Sequence, residues 1–144
     1  MQLKVKLTDG APIPRHAKPG DAGLDLTSRE RVKLYPGDTA IVGTGVSVEL
    51  PEGYFGLVAP RSGLASKHNI TLANTPSVID SGYRGEIMLA LHNIGHSADH
   101  IYTVERGDRV AQLVVVPYAS AECVEVGELS ETKRGEGGFG SSGK

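Results

Sequence analysis

Period-two alternation is the feature that most constrains this chain. Leu3, Val5 and Leu7 alternate with Gln2, Lys4 and Lys6, and Val46, Val48 and Leu50 alternate with Ser47 and Glu49. Successive side chains of a strand point to opposite faces, so each run turns one face to a core and the other to water. A shorter run contains Ile101 and Val104, broken by Tyr102 and Thr103. Turn signals separate the runs: Pro19-Gly20, Pro36-Gly37, Pro51-Glu52-Gly53, Ser81-Gly82, Asn93-Ile94-Gly95 and Arg106-Gly107-Asp108. Many short strands at this spacing predict an all-β sandwich or barrel. Arg109 to Pro117, with Val110-Ala111 and Leu113 to Val116, reads as a fully buried strand ended by proline. The one helical stretch runs from Pro60 to Lys67, about two turns long, and Gly63 weakens it in isolation.

Composition narrows the function classes. A chain of 144 residues suits one domain. It carries 19 glycines, roughly twice the usual share, and no Trp, so the core must be aliphatic. Lys+Arg total 15 against 17 Asp+Glu, a net charge of -2. That is no basic field for general nucleic-acid binding, and no nucleic-acid partner is expected. Cys123 is the single cysteine and cannot form an internal disulfide, which predicts a reducing, cytoplasmic compartment. No apolar run approaches the ~20 residues of a membrane span, and the start lacks the apolar stretch of a signal peptide, so no membrane association is expected.

The chain changes character near its end. From Ser130 to Lys144 the only large apolar side chain is Phe139, and five of the ten residues from Arg134 to Gly143 are glycine. Composition alone describes a disordered tail. The order of residues points elsewhere: an arginine, one aromatic, then two hydroxyls, with glycines between. Glycines let backbone N–H groups approach an anion, arginine forks onto phosphate, and a phenyl ring stacks on a base. Residues 130–144 are therefore expected to form an arm that orders when ligand binds, and residues 1–129 the β domain.

Five segments carry a specific resemblance. They are Asp21-Ala22-Gly23-Leu24-Asp25-Leu26, Pro60-Arg61-Ser62-Gly63-Leu64-Ala65, Val78-Ile79-Asp80-Ser81-Gly82-Tyr83-Arg84-Gly85-Glu86, Gly107-Asp108-Arg109-Val110-Ala111-Gln112-Leu113, and Arg134-Gly135-Glu136-Gly137-Gly138-Phe139-Gly140-Ser141-Ser142-Gly143. Any one alone is weak; five in order across nearly the whole chain are specific. In these the chain resembles the homotrimeric all-β dUTP diphosphatases. The resemblance implies a distorted jelly-roll or β-barrel with one short helix and a glycine-rich C-terminal arm, assembled as a homotrimer with shared active sites. It implies hydrolysis of dUTP to dUMP and diphosphate with Mg2+, by water attack on the α-phosphorus. The biological effect would be to keep uracil out of DNA and to supply dUMP for thymidylate synthesis.

Each segment has a plain structural reading beside the functional one. Asp21 and Asp25 suit a turn with a side-chain hydrogen bond; the resemblance has Asp25 reach Mg2+ through water, as suits a cation that keeps its waters beside a triphosphate. Arg61, Ser62 and Gly63 open the helical stretch; they could simply begin and solvate a helix, or hold phosphates with free N–H groups, a hydroxyl and a charge. Ser81-Gly82 reads as a hairpin turn that sets Ile79-Asp80 opposite Tyr83-Arg84. By resemblance the main chain at Ile79 and the side chain of Asn74 pair with uracil, and Tyr83 lies against the deoxyribose where a 2′-hydroxyl would clash. Tyr83 could equally be a packed strand aromatic. Asp80 is the expected catalyst, since an ionised aspartate accepts a hydrogen bond from attacking water; alone it could cap a turn. Gln112 stands in an apolar strand and needs a partner there, which the resemblance makes a phosphate. Arg109 is expected to form a structural ion pair with Asp108. The resemblance gives Arg134 the γ-phosphate, Phe139 the face of uracil, and Gly140, Ser141 and Ser142 the β- and γ-phosphates.

His92, His96 and His100 are spaced by four, which on a helix would make a metal face. Asn93-Ile94-Gly95 breaks that segment and its flanks are strand-like, so no zinc site is expected. Ser77 stands where the family usually has glycine, Gly82 replaces a frequent acidic residue, and Ser142 keeps the hydroxyl of a frequent threonine. Two other readings compete with this one. A dCTP deaminase on the same fold typically lacks the Tyr83-Arg84-Gly85 pattern. A nucleotide-binding module without turnover would lack Asp80 or Arg134.

Overall fold

A computed structural model describes residues 1–8 and 10–138. Among them the first strands are β1 (Lys4–Leu7), β2 (Leu24–Thr27), β3 (Val32–Leu34), β4 (Thr39–Gly43), β5 (Val46–Glu49) and β6 (Tyr54–Pro60). Then follow the helix α1 (Ser62–His68) and the strands β7 (Ile70–Leu72), β8 (Ser77–Ile79), β9 (Met88–Asn93), β10 (Tyr102–Val104) and β11 (Arg109–Pro117). Every pairing among these strands is antiparallel: β1 with β5, β3 with β10, a sheet in the order β2-β11-β6-β8, and a sheet in the order β4-β9-β7.

The alternation in the sequence decides which side of each strand faces inward. Val46 and Val48 of β5 are buried while Glu49 is exposed, and Leu89 and Leu91 of β9 are buried while Met88 is exposed. Leu26, Leu34, Val42, Val58, Ile70, Val104 and Leu113 complete an aliphatic core drawn from every sheet. Burial of each such side chain contributes about 1.5–3 kcal/mol. Asn93, a buried polar residue, is fully satisfied. Its Nδ2 donates to the carbonyls of Leu34 and His100, and its Oδ1 accepts from the Gly95 N–H. The turn signal Asn93-Ile94-Gly95 is thus a buried amide that ties the end of β9 to the loop beyond it.

Three expectations change. In β1 Leu7 is exposed, so that run does not turn its whole apolar face to the core. Ile101 is exposed and lies outside β10. The run from Arg109 to Pro117 is a strand, but Val114 to Val116 are only half-buried. The cause is register: β2 covers β11 only as far as Leu113, and beyond it β11 pairs with β6 alone.

One irregularity positions the site. Between Arg109 and Ala111 the pairing of β11 with β2 shifts, leaving Val110 as an extra residue. Such a bulge resets the in–out alternation. Val110 and Ala111 are both buried, and Arg109 and Gln112, three apart, both face outward to one cleft. In a regular strand an odd separation would place them on opposite faces.

Candidate active site

The cleft has a volume of about 760 Å³ and lies between β2, the junction of β6 with α1, and β11. Arg61, Ser62, Gly63, Asp25 and Gln112 all line it. Asp25 reaches it because β2 pairs it directly with Gln112. Gly23 is required by the same contact: a Cβ there would overlap the amide oxygen and Cβ of Gln112. Gln112 in turn donates from Nε2 to the Pro60 carbonyl at 3.4 Å.

Charge in the cleft is organised around Asp25. Its Oδ1 lies 3.2 Å from Nε of Arg61 and its Oδ2 3.1 Å from Nη1 of Arg109. Nη1 of Arg61 donates to the Arg109 carbonyl at 3.4 Å. Asp25 is well covered, its side chain 16% exposed, whereas Arg109 is 52% exposed. Arg61 precedes α1 and its side chain makes no capping hydrogen bond. The expected pair of Arg109 with Asp108 is not formed: the Asp108 carboxylate accepts the Glu105 N–H at 2.9 Å, and Arg109 is carried to Asp25 by the bulge.

Sequence reasoning gave no site role to Lys67, His68 and Tyr102, which also line the cleft, and placed Arg109 in a structural ion pair outside it. Lys67 and His68 follow Gly63 and Leu64 by four positions, one helical turn, which is a signal the sequence did hold. The His68 and Tyr102 rings pack against each other, tilted by 40° with centroids 4.7 Å apart. Burial, and then the charge of Asp108, push the Tyr102 hydroxyl above its ordinary pKa.

Asn74, Ile79, Asp80 and Tyr83 lie elsewhere. Ile79 ends β8 opposite Gly56, and Asp80 follows it, exposed. The turn expected at Ser81-Gly82 is present, with the Tyr83 N–H donating to the Asp80 carbonyl at 3.0 Å. The expected hairpin is not: β8 pairs with β6, and residues 80–87 form no strand. The turn is braced by side chains instead. Nη1 of Arg84 donates to the carbonyls of Ser81 and Tyr83 at 2.6 and 2.9 Å, and the Tyr83 hydroxyl donates to the Glu86 carbonyl at 2.9 Å. The Tyr83 ring lies over Gly85, where a Cβ would overlap it. Ser77, in place of a glycine, donates its hydroxyl to the Asn74 carbonyl at 3.1 Å and so ties the loop that carries Asn74.

The register measures the gap between the two groups. Asp25 pairs with Gln112, Gln112 pairs with Ala59, and Asp80 adjoins the Phe55 end of β6. Asp25 and Asp80 are therefore about three strand spacings apart across the sheet, roughly 14 Å, and about four residues apart along it, roughly 13 Å. Arg134 lies in a separate exposed turn, its Nε donating to the Gly137 carbonyl at 2.9 Å. Phe139, Gly140, Ser141 and Ser142 lie outside the described residues.

The donor set for a metal is restricted. Among the described residues no group of three His, Cys, Asp or Glu side chains could hold an ion. His92 Nδ1 bonds Thr39 Oγ1 and the Asp38 carbonyl. In the cleft Asp21, Asp25 and Asp108 are each engaged by neighbouring N–H groups. A cation at this cleft would therefore have to draw most of its ligands from outside the protein, meeting a carboxylate through water.

Comparisons with known proteins identify the family and the fold. A profile of the dUTPase family matches residues 9–143. The deoxyuridine 5'-triphosphate nucleotidohydrolase of Nocardia farcinica is 50% identical over 138 residues, 96% of this chain and 82% of its own length. The protein of that name from Cutibacterium acnes is 52% identical over 91% of this chain and 85% of its own length. Among solved structures, the dUTPase of Staphylococcus bacteriophage 80alpha with dUpNHpp is 35% identical, with a TM-score of 0.92 and coverage of 99% of both chains.

Proposed function

The chain belongs to the dUTPase family and is a dUTP diphosphatase, and from that premise we propose that its catalytic centre is completed only when copies of the chain assemble. The observation that carries this reading is the separation within one chain. Arg61, Ser62 and Gln112 share a cleft with Asp25, while Asp80 and Tyr83 stand on the far edge of the same sheet. A gap of roughly 20 Å on the diagonal is too long for one reacting phosphate to bridge. A closed symmetric assembly, here a homotrimer, brings the Asp80 edge of one copy to the cleft of another.

The division of labour then follows from the side chains. Arg61, Ser62, the backbone at Gly63, and Gln112 hold the phosphates of dUTP. Asn74 and the main chain at Ile79 pair with uracil, and the ring of Tyr83 fills the space a ribose 2′-hydroxyl would need. Asp80 accepts a hydrogen bond from water and takes its proton as oxygen attacks the α-phosphorus. The bond from that phosphorus to the bridging oxygen breaks, and diphosphate leaves with its charge on Arg61, Ser62 and Gln112, giving dUMP. Donors fixed in place before the reaction supply most of the rate enhancement in phosphoryl chemistry, because they meet the developing charge without having to reorganise. Mg2+ would be reached by Asp25 through water, and when bound it supplies neutralising charge along the triphosphate. The arm of residues 130–144 closes over the site, Arg134, Gly140, Ser141 and Ser142 on the outer phosphates and Phe139 on the base. Support for the arm is its sequence alone.

This activity lowers dUTP, keeps uracil out of DNA and supplies dUMP for thymidylate synthesis, in a cytoplasmic pool that suits a lone unpaired cysteine. The test is diphosphate release from each deoxynucleoside triphosphate with Mg2+. Turnover of dUTP alone is expected; ammonia from dCTP, or no turnover, would overturn the assignment.

A further inference from the structure

Arg61, Asp25 and Arg109 come from three elements and close a ring. Asp25 offers one oxygen to each guanidinium, at 3.2 and 3.1 Å, and Arg61 returns a hydrogen bond to the Arg109 backbone at 3.4 Å. Arginine has five N–H donors in a rigid fork. Nε of Arg61 and one hydrogen on its Nη1 are bonded within the protein, and its other N–H donors remain for the cleft it lines. An arginine and a carboxylate left to themselves favour a bidentate pair, two parallel N–H···O bonds on both oxygens. Here Arg61 meets one oxygen through Nε, and the second oxygen is engaged by Arg109 instead. The bulge at Val110 is what puts Arg109 there.

We infer that Arg109 is a positioning residue for phosphate recognition: by holding Oδ2 of Asp25 it stops that carboxylate from drawing the Arg61 fork out of the cleft. The inference rests on the proposed use of Arg61 for the phosphates. It gives Arg109 no contact with substrate. Without Arg109, Asp25 takes Arg61 through both oxygens, and the donors meant for phosphate are spent inside the protein.

The experiment is a double-mutant cycle on the full-length assembled enzyme, with Arg109→Gln, Asp25→Asn and the double variant. Steady-state turnover of dUTP is followed, and calorimetry compares dUpNHpp with deoxyuridine, which has no phosphate. Arg109→Gln should raise both KM for dUTP and Kd for dUpNHpp about tenfold while leaving deoxyuridine affinity unchanged. A merely structural role would move both ligands together. In the Asp25→Asn background, Arg109→Gln should change dUpNHpp affinity by less than about threefold, because there is no carboxylate left to restrain. Additive losses in the cycle, or parent affinity in Arg109→Gln, would overturn the inference. Should Arg109→Gln fail to assemble, the same cycle is run with Arg109→Lys, which keeps the charge on Asp25 and should be intermediate. If the parent protein neither hydrolyses dUTP nor binds dUpNHpp, the assignment of the cleft itself fails, and the two failures are told apart.

Discussion

At the scale of single residues, the cleft depends on who occupies each donor. Asp80 is exposed on a turn braced by Arg84 and Tyr83, so its carboxylate is displayed to solvent while other groups hold the turn together. Replacing it with asparagine removes the proposed proton acceptor and keeps the shape. Asp80→Asn should lower kcat by about 10²–10⁴-fold with dUpNHpp affinity within a few-fold of the parent; single-turnover rates and calorimetry check the split. Gly23 makes a different kind of claim, since its missing Cβ is what lets Gln112 lie across the cleft floor. Gly23→Ala should push that amide aside, costing about 1–3 kcal/mol by overpacking. A lowered urea midpoint together with a raised KM for dUTP is the expected result. The sequence does not reveal this role of Gly23, because the side chain it accommodates is 89 positions away on a strand whose register is a tertiary fact.

At the scale of elements, the strands followed from alternation wherever two apolar faces meet. β5 keeps the in–out pattern its residues predict, whereas β1 exposes Leu7. The misreadings fall where alternation is silent or broken. Residues 80–87 look like the return of a hairpin, yet Ile79 is already paired to β6, and the turn is closed by the side chains of Arg84 and Tyr83. The bulge at Val110 is invisible in a run of apolar residues, since either phase would read as buried. It nonetheless decides that Arg109 faces the cleft. Deleting Val110 would close the ladder without its bulge, leaving Arg109 and Gln112 two apart and still on one face, but it removes a buried side chain. Such a chain should fold with about 1.5–3 kcal/mol less stability, read as a lowered thermal midpoint by circular dichroism. A second elemental test concerns Gly45, at φ +71 beside Ala11 and Arg29. Gly45→Ala should destabilise the fold by about 1–3 kcal/mol, read as a shift in the denaturant midpoint.

At the scale of the whole molecule, one chain keeps Asp25 and Arg61 in one cleft and Asp80 on another edge of the sheet. If copies share the site, a chain carrying Asp80→Ala and a chain carrying Arg61→Ala should each be inactive alone. Refolded together at equal amounts, they should regain about one quarter of parent activity, because random closed assembly leaves that share of sites with both residues intact. A mixture that stays dead would place both residues in a single-chain site; light scattering checks that assembly occurred. What the amino-acid sequence determined by itself was local: strands from alternation, turns from Gly and Pro, and a chemistry announced by short runs of acids, arginines and glycines. These are legible because each depends on residues a few positions apart. What only the tertiary structure decided was which of those runs meet. Pairing register, one unpaired valine and the order of strands in a sheet put Asp25 between two arginines and left Asp80 on another edge, and none of these is a property of neighbouring residues.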